Sequence, residues 1–354
     1  MRINLCRAGS MLAVVFLATA LAVAGEYGRD TFVLTSTNNA SGNAVVVFKL
    51  DTSGTPSLSL MNMLPTNGNG GASGNAGVLQ FRDDRGAVAN YGSNSVTQLV
   101  RDDNFIGIGK TINLATGCVN PDSVALTEDH LFVAGTNCAE SHAWPWGNLD
   151  GTVVGLTDPS AAQIAVGNTW AAVTLKGTSS GSVLQLPLTR HGALSGASTT
   201  VTLPSIANNT PFGAAFWGDI LGFTPAHSTD TFAIVDESRN VYPIPGLTFV
   251  SGNAPCWVAK GPGSVWYTGN SPGQAISIFF SDGQGGAFYK SVSLPGSPTD
   301  ITVSRDRKWL AVIYSAGGEA YVAVFAIDAY GDLTPVATSD SIGVAAFNGV
   351  AISQ

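Results

Sequence analysis

Charge is scarce in this 354-residue chain: Asp, Glu, Lys and Arg together make up 11% of it, and the formal net charge is −8. No basic cluster offsets that acidity, so a phosphate backbone would be repelled and nucleic acid is excluded as a partner. Long apolar runs are equally few. Beyond the N-terminus no segment approaches the ~18 apolar residues that suggest a membrane span, so no membrane partner is expected. Neither a Gly-x-Ser-x-Gly elbow nor a phosphate-binding loop occurs, which sets aside a serine hydrolase of the α/β kind. Helical periodicity never runs beyond about ten residues, so essentially no helix is expected. Cysteine is limited to four residues. Cys118, Cys138 and His142 lack paired ligand spacing, so neither a metal nor any cofactor is expected.

What is present begins with a leader. Arg2 and Arg7 precede the apolar run Met11 to Val23, and Ala22-Val23-Ala24 supplies a small-x-small cleavage site. These features predict a signal peptide over residues 1–24 and a secreted or periplasmic mature chain, 25–354, acting as a monomer. Cleavage removes two basic residues and moves the formal charge to about −10, leaving Ser, Thr, Asn and Gly to carry solubility. Cys6 leaves with the leader. Cys118 and Cys138 sit nearly symmetrically about the turn Glu128-Asp129, so a disulfide across that hairpin is expected in an oxidising compartment. Cys256 is left over and reads as a small buried apolar residue.

Seven times a short apolar strand is followed by a tight polar turn and a second apolar strand. The copies start near Val78, Val124, Ile164, Ala214, Val258, Ile301 and Val350. Their spacing of about 40 to 50 residues is that of a four-stranded propeller blade. A third strand follows in each copy, as at Ala44–Leu50 and Ser95–Val100, and a fourth in most. The sequence thus predicts an all-β, seven-bladed β-propeller of four-stranded antiparallel blades. Gly349–Ser353 reads as an innermost strand with nothing after it, and Thr31–Thr35 as a second strand with nothing before it. Joined, they complete the first blade and leave no sheet edge. The third blade reads as irregular: with its third strand at Gly151–Leu156 it lacks room for an outer strand, and a long loop, Asn137 to Asp150, compensates.

In such a blade the start of the inner strand and the end of the second strand emerge on one face, the mouth of the central channel. His130 and His191 fall in turns on the opposite face and read as solvated. Asp122 and Asp300 lead inner strands at the mouth. Each is a candidate to act as a general base, orient a water or help ligate a cation with neighbouring Asn side chains, with capping of loop N–H groups as the plainer alternative. Glu140, His142, Trp144 and Trp146 crowd the long loop that Asn137 opens. They suit proton transfer and the stacking of a sugar or ring, or else the tryptophans cover the gap left by the missing strand. Lys176, His227, Asn270 and Tyr314 end second strands or open the loops beyond them. Asn90 and the inner-strand Trp257 complete the candidate ligand-binding set. Of these residues Asp122, His142, His227 and Asp300 are the catalytic candidates.

Three phrases, NAVVVFKLDTSGTPSL (43–58), NYGSNSVTQL (90–99) and SRDRKWLAVIYSAGGEAYVAVFAIDAYGDLTPV (304–336), resemble the lactonase-like seven-bladed propellers. That family includes 6-phosphogluconolactonase and the fungal carboxymuconate lactonising enzyme. TPFGAAF (210–216) and APCWVAKG (254–261) look like a secreted branch of it. The resemblance implies the same fold over the whole mature chain and chemistry on a lactone ring. It also implies His or Arg at the start of inner strands, where this chain has Pro121-Asp122-Ser123 and Pro211-Phe212-Gly213. A basic group for an anionic sugar is missing from both places. Two readings stand: a lactone-opening or lactone-closing enzyme, and a non-catalytic propeller that holds a small molecule, glycan or protein at its mouth.

Overall fold

The two middle strands of each blade are apolar along nearly their whole length, because neighbouring blades cover both of their faces. His130–Gly135 and Trp170–Leu175 are buried at every position. Outermost strands meet solvent and alternate instead, as Gly286–Ser293 does. The computed structural model describes residues 29–145, 147–178, 180–227, 231–246, 254–344 and 346–354. The leader over 1–24 and Trp146 lie outside the described residues.

Seven antiparallel sheets surround a central channel. Blade 1 takes its inner strand, Asn348–Ser353, from the C-terminus and its other three, Thr31–Ser36, Ala44–Asp51 and Ser57–Pro65, from the N-terminal region. Val33 lies opposite Ile352 in that closing pair. Arg101, buried on the third strand of blade 2, latches the closure: its guanidinium donates to the Ser353 hydroxyl and to the Asp30 carbonyl. Among the described residues the only helical turn is the 3-10 segment Tyr91–Ser93.

Blade 3 corrects one expectation. Its third strand is Cys138–Ala143, inside the segment read as a loop, and the blade is not truncated. Two short strands, Asn148–Leu149 and Val154–Gly155, share the outer position by pairing with opposite ends of Cys138–Ala143. Only the second of them falls within the expected third strand at Gly151–Leu156.

Inner strands share a device at the mouth. Their register slips between Pro121 and Ser123, Ala161 and Gln163, Pro211 and Ala214, Pro255 and Trp257, and Pro298 and Asp300. Pro at the first position of a strand gives up no ladder donor, and the bulge after it turns one side chain out of the pleat. Below the bulges a girdle of hydrogen bonds ties blade to blade. The Ser123 hydroxyl donates to the Gly77 carbonyl and accepts from the Ile164 N–H, and the Ala214 N–H donates to Gln163 Oε1. Thr174 and Thr224 donate to the carbonyls of Phe212 and Cys256 in the next blades. Gly77 (φ +67°) belongs to this girdle, since a Cβ there would stand 2.9 Å from both Ser123 Oγ and Gln163 Nε2.

Candidate functional site at the channel mouth

Asp122 is the residue turned out by the bulge of blade 3. It is buried, and burial lifts its carboxyl to about 7, with the positive charge of Lys176 acting in the other direction. Lys176 follows the second strand of blade 4 and is half-buried. Burial lowers its ammonium while Asp122 and Asp158 raise it. Its Nζ donates to the Gly74 carbonyl at 2.5 Å, pinning the loop that leads into blade 2. The phenol of Tyr91 is raised by burial first and by the Asp122 charge second. The mouth thus brings together an acid and a base whose proton affinities both move toward neutrality, a pattern enriched at functional sites.

Asn75 is the hub beside them. Its Nδ2 donates to the Asp122 carbonyl, its Oδ1 accepts from Asn348 Nδ2 at 2.6 Å, and its carbonyl accepts the Trp257 indole N–H. Above Asn75, Asn348 and Trp257 opens a cavity of about 700 Å³ between blades 1 and 7. Its walls include Asn38, Ser73, Thr299 and Phe347. Neither Asn75 nor Asn348 is signalled by the sequence, because the contact joins residues 273 positions apart.

Asp300 sits one place beyond its bulge and therefore faces the channel wall with the girdle, not the mouth. Its Oδ1 accepts from the Ile301 N–H and its Oδ2 from the Val350 N–H, and the Gly77 amide donates to the same carboxyl. Complete burial outweighs those bonds and raises the carboxyl to about 7. At the far end of the channel Lys260, lowered to about 8 by burial and then by Arg307, donates three hydrogen bonds to the turn carbonyls of Gly261, Gly263 and Val265.

Several expected site residues lie elsewhere. Glu140 and His142 are buried on the third strand of blade 3, not in an open loop. Glu140 Oε1 meets His142 Nε2 at 2.9 Å and Oε2 accepts the Ala115 N–H. Trp144 follows that strand onto the face opposite the mouth, where its N–H donates to the Asp129 carbonyl and the Arg85 guanidinium lies 4.1 Å from its ring. A strand running mouth to base from Cys138 leaves no other end for Trp144. Asn90 and Asn270 are buried at equivalent ends of second strands and hold their own hairpins, Asn90 through Ser95 and Thr97, Asn270 through Thr268 and Ser277. Tyr314 is core, stacked on Tyr321 with ring centroids 5.4 Å apart. Asn137 ties Gly117 and Val119 to the next strand. His227 stays at the mouth of blade 5, bonded to the Thr210 hydroxyl at 2.9 Å. His130 is on the far face as expected but buried, not solvated, with Nε2 2.9 Å from Asp150.

The Cys118–Cys138 disulfide is formed, with Cα atoms 5.6 Å apart. Glu140 lies close to both sulfurs, yet paired sulfurs offer no thiolate and the carboxylate is already bonded. Cys256 is half-buried, and burial pushes its thiol up to about 11, far from the range of a nucleophile.

No protein-family model matches the sequence, and neither does any curated protein. Solved structures do share its shape. A protein of unknown function from Desulfotomaculum acetoxidans superposes with a TM-score of 0.67 at 13% identity, over 92% of this chain and 99% of the other. A protein from Bacteroides fragilis provisionally assigned as a 6-phosphogluconolactonase gives 0.64 at 13%, over 92% and 98%. A virginiamycin B lyase from Staphylococcus aureus gives 0.55 at 12%, over 79% and 95%. The chain therefore has a seven-bladed β-propeller fold, and at these identities the likeness is one of fold alone.

Proposed function

We propose that the mouth is a small-molecule site at which a cyclic ester is opened or closed, with Asp122 as the proton-transferring group. One observation carries this: a buried carboxyl at about 7 and a half-buried ammonium stand directly behind Asn75 and Gly74, which wall a cavity large enough for a sugar-sized ring. An acid of that strength can take up and return a proton near neutral pH. The fold neighbours include a provisional lactonase and a lyase, which fits this chemistry without supplying residues for it. The leader expected over 1–24 and the disulfide support a reaction outside the cytoplasm.

A panel of lactones and muconates compared between wild type and Asp122→Asn tests the reading. Expected is turnover that rises with an apparent pKa near 7 in the wild type and falls at least about 100-fold in the variant. Equal background rates in both would remove it. The neutral walls of the cavity favour a second reading, a propeller that binds at its mouth without catalysis. In that case ligand titration would quench tryptophan fluorescence equally in wild type and Asp122→Asn.

A further inference from the structure

Four asparagines reach the mouth cavity, and a fixed relay orients the two at its floor. The carbonyl of Asp122 can only accept, so the amide of Asn75 must present Nδ2 to it and Oδ1 away from it. That Oδ1 can only accept, so Asn348 must present Nδ2 to Asn75. The remaining atom, Asn348 Oδ1, is buried and has no hydrogen-bond partner among the described residues. Asn348 is itself only 9% exposed and lines the cavity. A buried acceptor left unmatched costs about 1–3 kcal/mol, so this atom calls for an incoming hydrogen-bond donor.

The rest of the lining narrows the ligand. Among the described residues no charged side chain borders the cavity. Lys176 is turned onto the Gly74 carbonyl behind the loop wall. An anion would lose its hydration there with no opposite charge to replace it, and it would meet the unmatched oxygen of Asn348. Phe347 and Val344 give the wall an apolar flank suited to the carbon face of a ring.

Resting on the reading of the mouth as a lactone site, we infer that the ligand is an uncharged, hydroxylated ring and that Asn348 selects it by accepting one ligand hydroxyl. The ring-opened acid is then the weakly held partner of the pair, and its charge favours its release.

D-galactono-1,4-lactone and its ring-opened anion D-galactonate form a matched pair of probes, titrated by calorimetry into the full chain. The expected result is lactone binding at least about 10-fold tighter than galactonate binding, with that preference lost in Asn348→Ala. Circular dichroism checks that the variant is folded, and Asn348→Ser, which retains an acceptor, is expected to recover part of the preference. Equal or tighter binding of galactonate, unchanged lactone affinity in Asn348→Ala, or no saturable binding of either probe would each overturn the inference. The reaction itself is judged separately by Asp122→Asn: a rate that depends on Asp122 together with a galactonate preference would discard the neutral ligand and keep the lactone site.

Discussion

Asp122 and Asp300 look alike in sequence, each just after a proline (Pro121, Pro298) at the head of an inner strand, but one position of bulge register separates their roles. Asp122 is the residue forced out of the pleat and faces the mouth. Asp300 falls back into the ladder and spends its oxygens on the backbone amides of its own blade and two others. Its carboxyl has a pKa of about 7 in the folded chain against 3.8 for an ordinary aspartate. A group that holds its proton better when folded favours folding at low pH, and that contribution is lost as pH rises from about 4 to about 7 at up to about 1.4 kcal/mol per unit. Thermal melts are therefore expected to give a higher Tm at pH 5 than at pH 8, with a shallower dependence in Asp300→Asn. Parallel pH profiles for the two proteins would contradict this.

At the level of the element, blade 3 shows how a strand escapes a search for apolar alternation. Cys138–Ala143 carries Glu140, Ser141 and His142, all buried, so no hydrophobic signal marks it. Hydrogen bonds stand in for apolar packing. Glu140 holds His142 and the Ala115 N–H, and the Ser141 hydroxyl donates to the Asp150 carbonyl. Glu140→Ala would leave the buried His142 Nε2 and the half-buried Ala115 N–H without their partner and is expected to lower stability by about 3 kcal/mol in urea unfolding. A loss within the error of the melt would mean that the pair contributes nothing. The disulfide at the head of the same strand closes a 20-residue separation. Replacing both Cys118 and Cys138 by Ser is expected to cost about 3 kcal/mol, chiefly by freeing the unfolded chain. Chemical denaturation of the oxidised wild type and the double variant measures it. The same polar disguise explains why Asn90 and Asn270 read as mouth residues. Ser95 and Thr97 in one hairpin and Ser277 in the other take up their amide N–H groups, and Asn90 Oδ1 accepts from Asn43 and Thr66 of blade 1.

For the whole molecule, stability depends on closure. The inner strand of blade 1 is the last stretch of the chain, and without it Thr31–Ser36 would present an unpaired edge beside the inner strands of its neighbours. Removing residues 348–354 is expected to abolish the single cooperative melt and yield a protein that associates on size-exclusion chromatography. A monomeric, cooperatively melting truncation would show that the ring tolerates an open blade. Arg101→Ala tests the latch more gently: loss of its bonds to Ser353 and Asp30 should speed proteolysis at the C-terminus before the rest of the ring is cut.

Blade number, the six ordinary third strands, the split first blade and the Cys118–Cys138 bridge are all determined by sequence alone, because each follows from local periodicity, turn chemistry or near symmetry about a hairpin. The residues that make the mouth are not. Asn75 meets Asn348, Lys176 approaches Asp122, and Trp257 reaches Asn75 only because seven inner strands converge on one axis. Which aspartate is turned out toward the mouth depended on a one-residue bulge, and which asparagines line the cavity depended on partners in other blades. Local propensity carries no information about either, since both are set by the way distant strands pack.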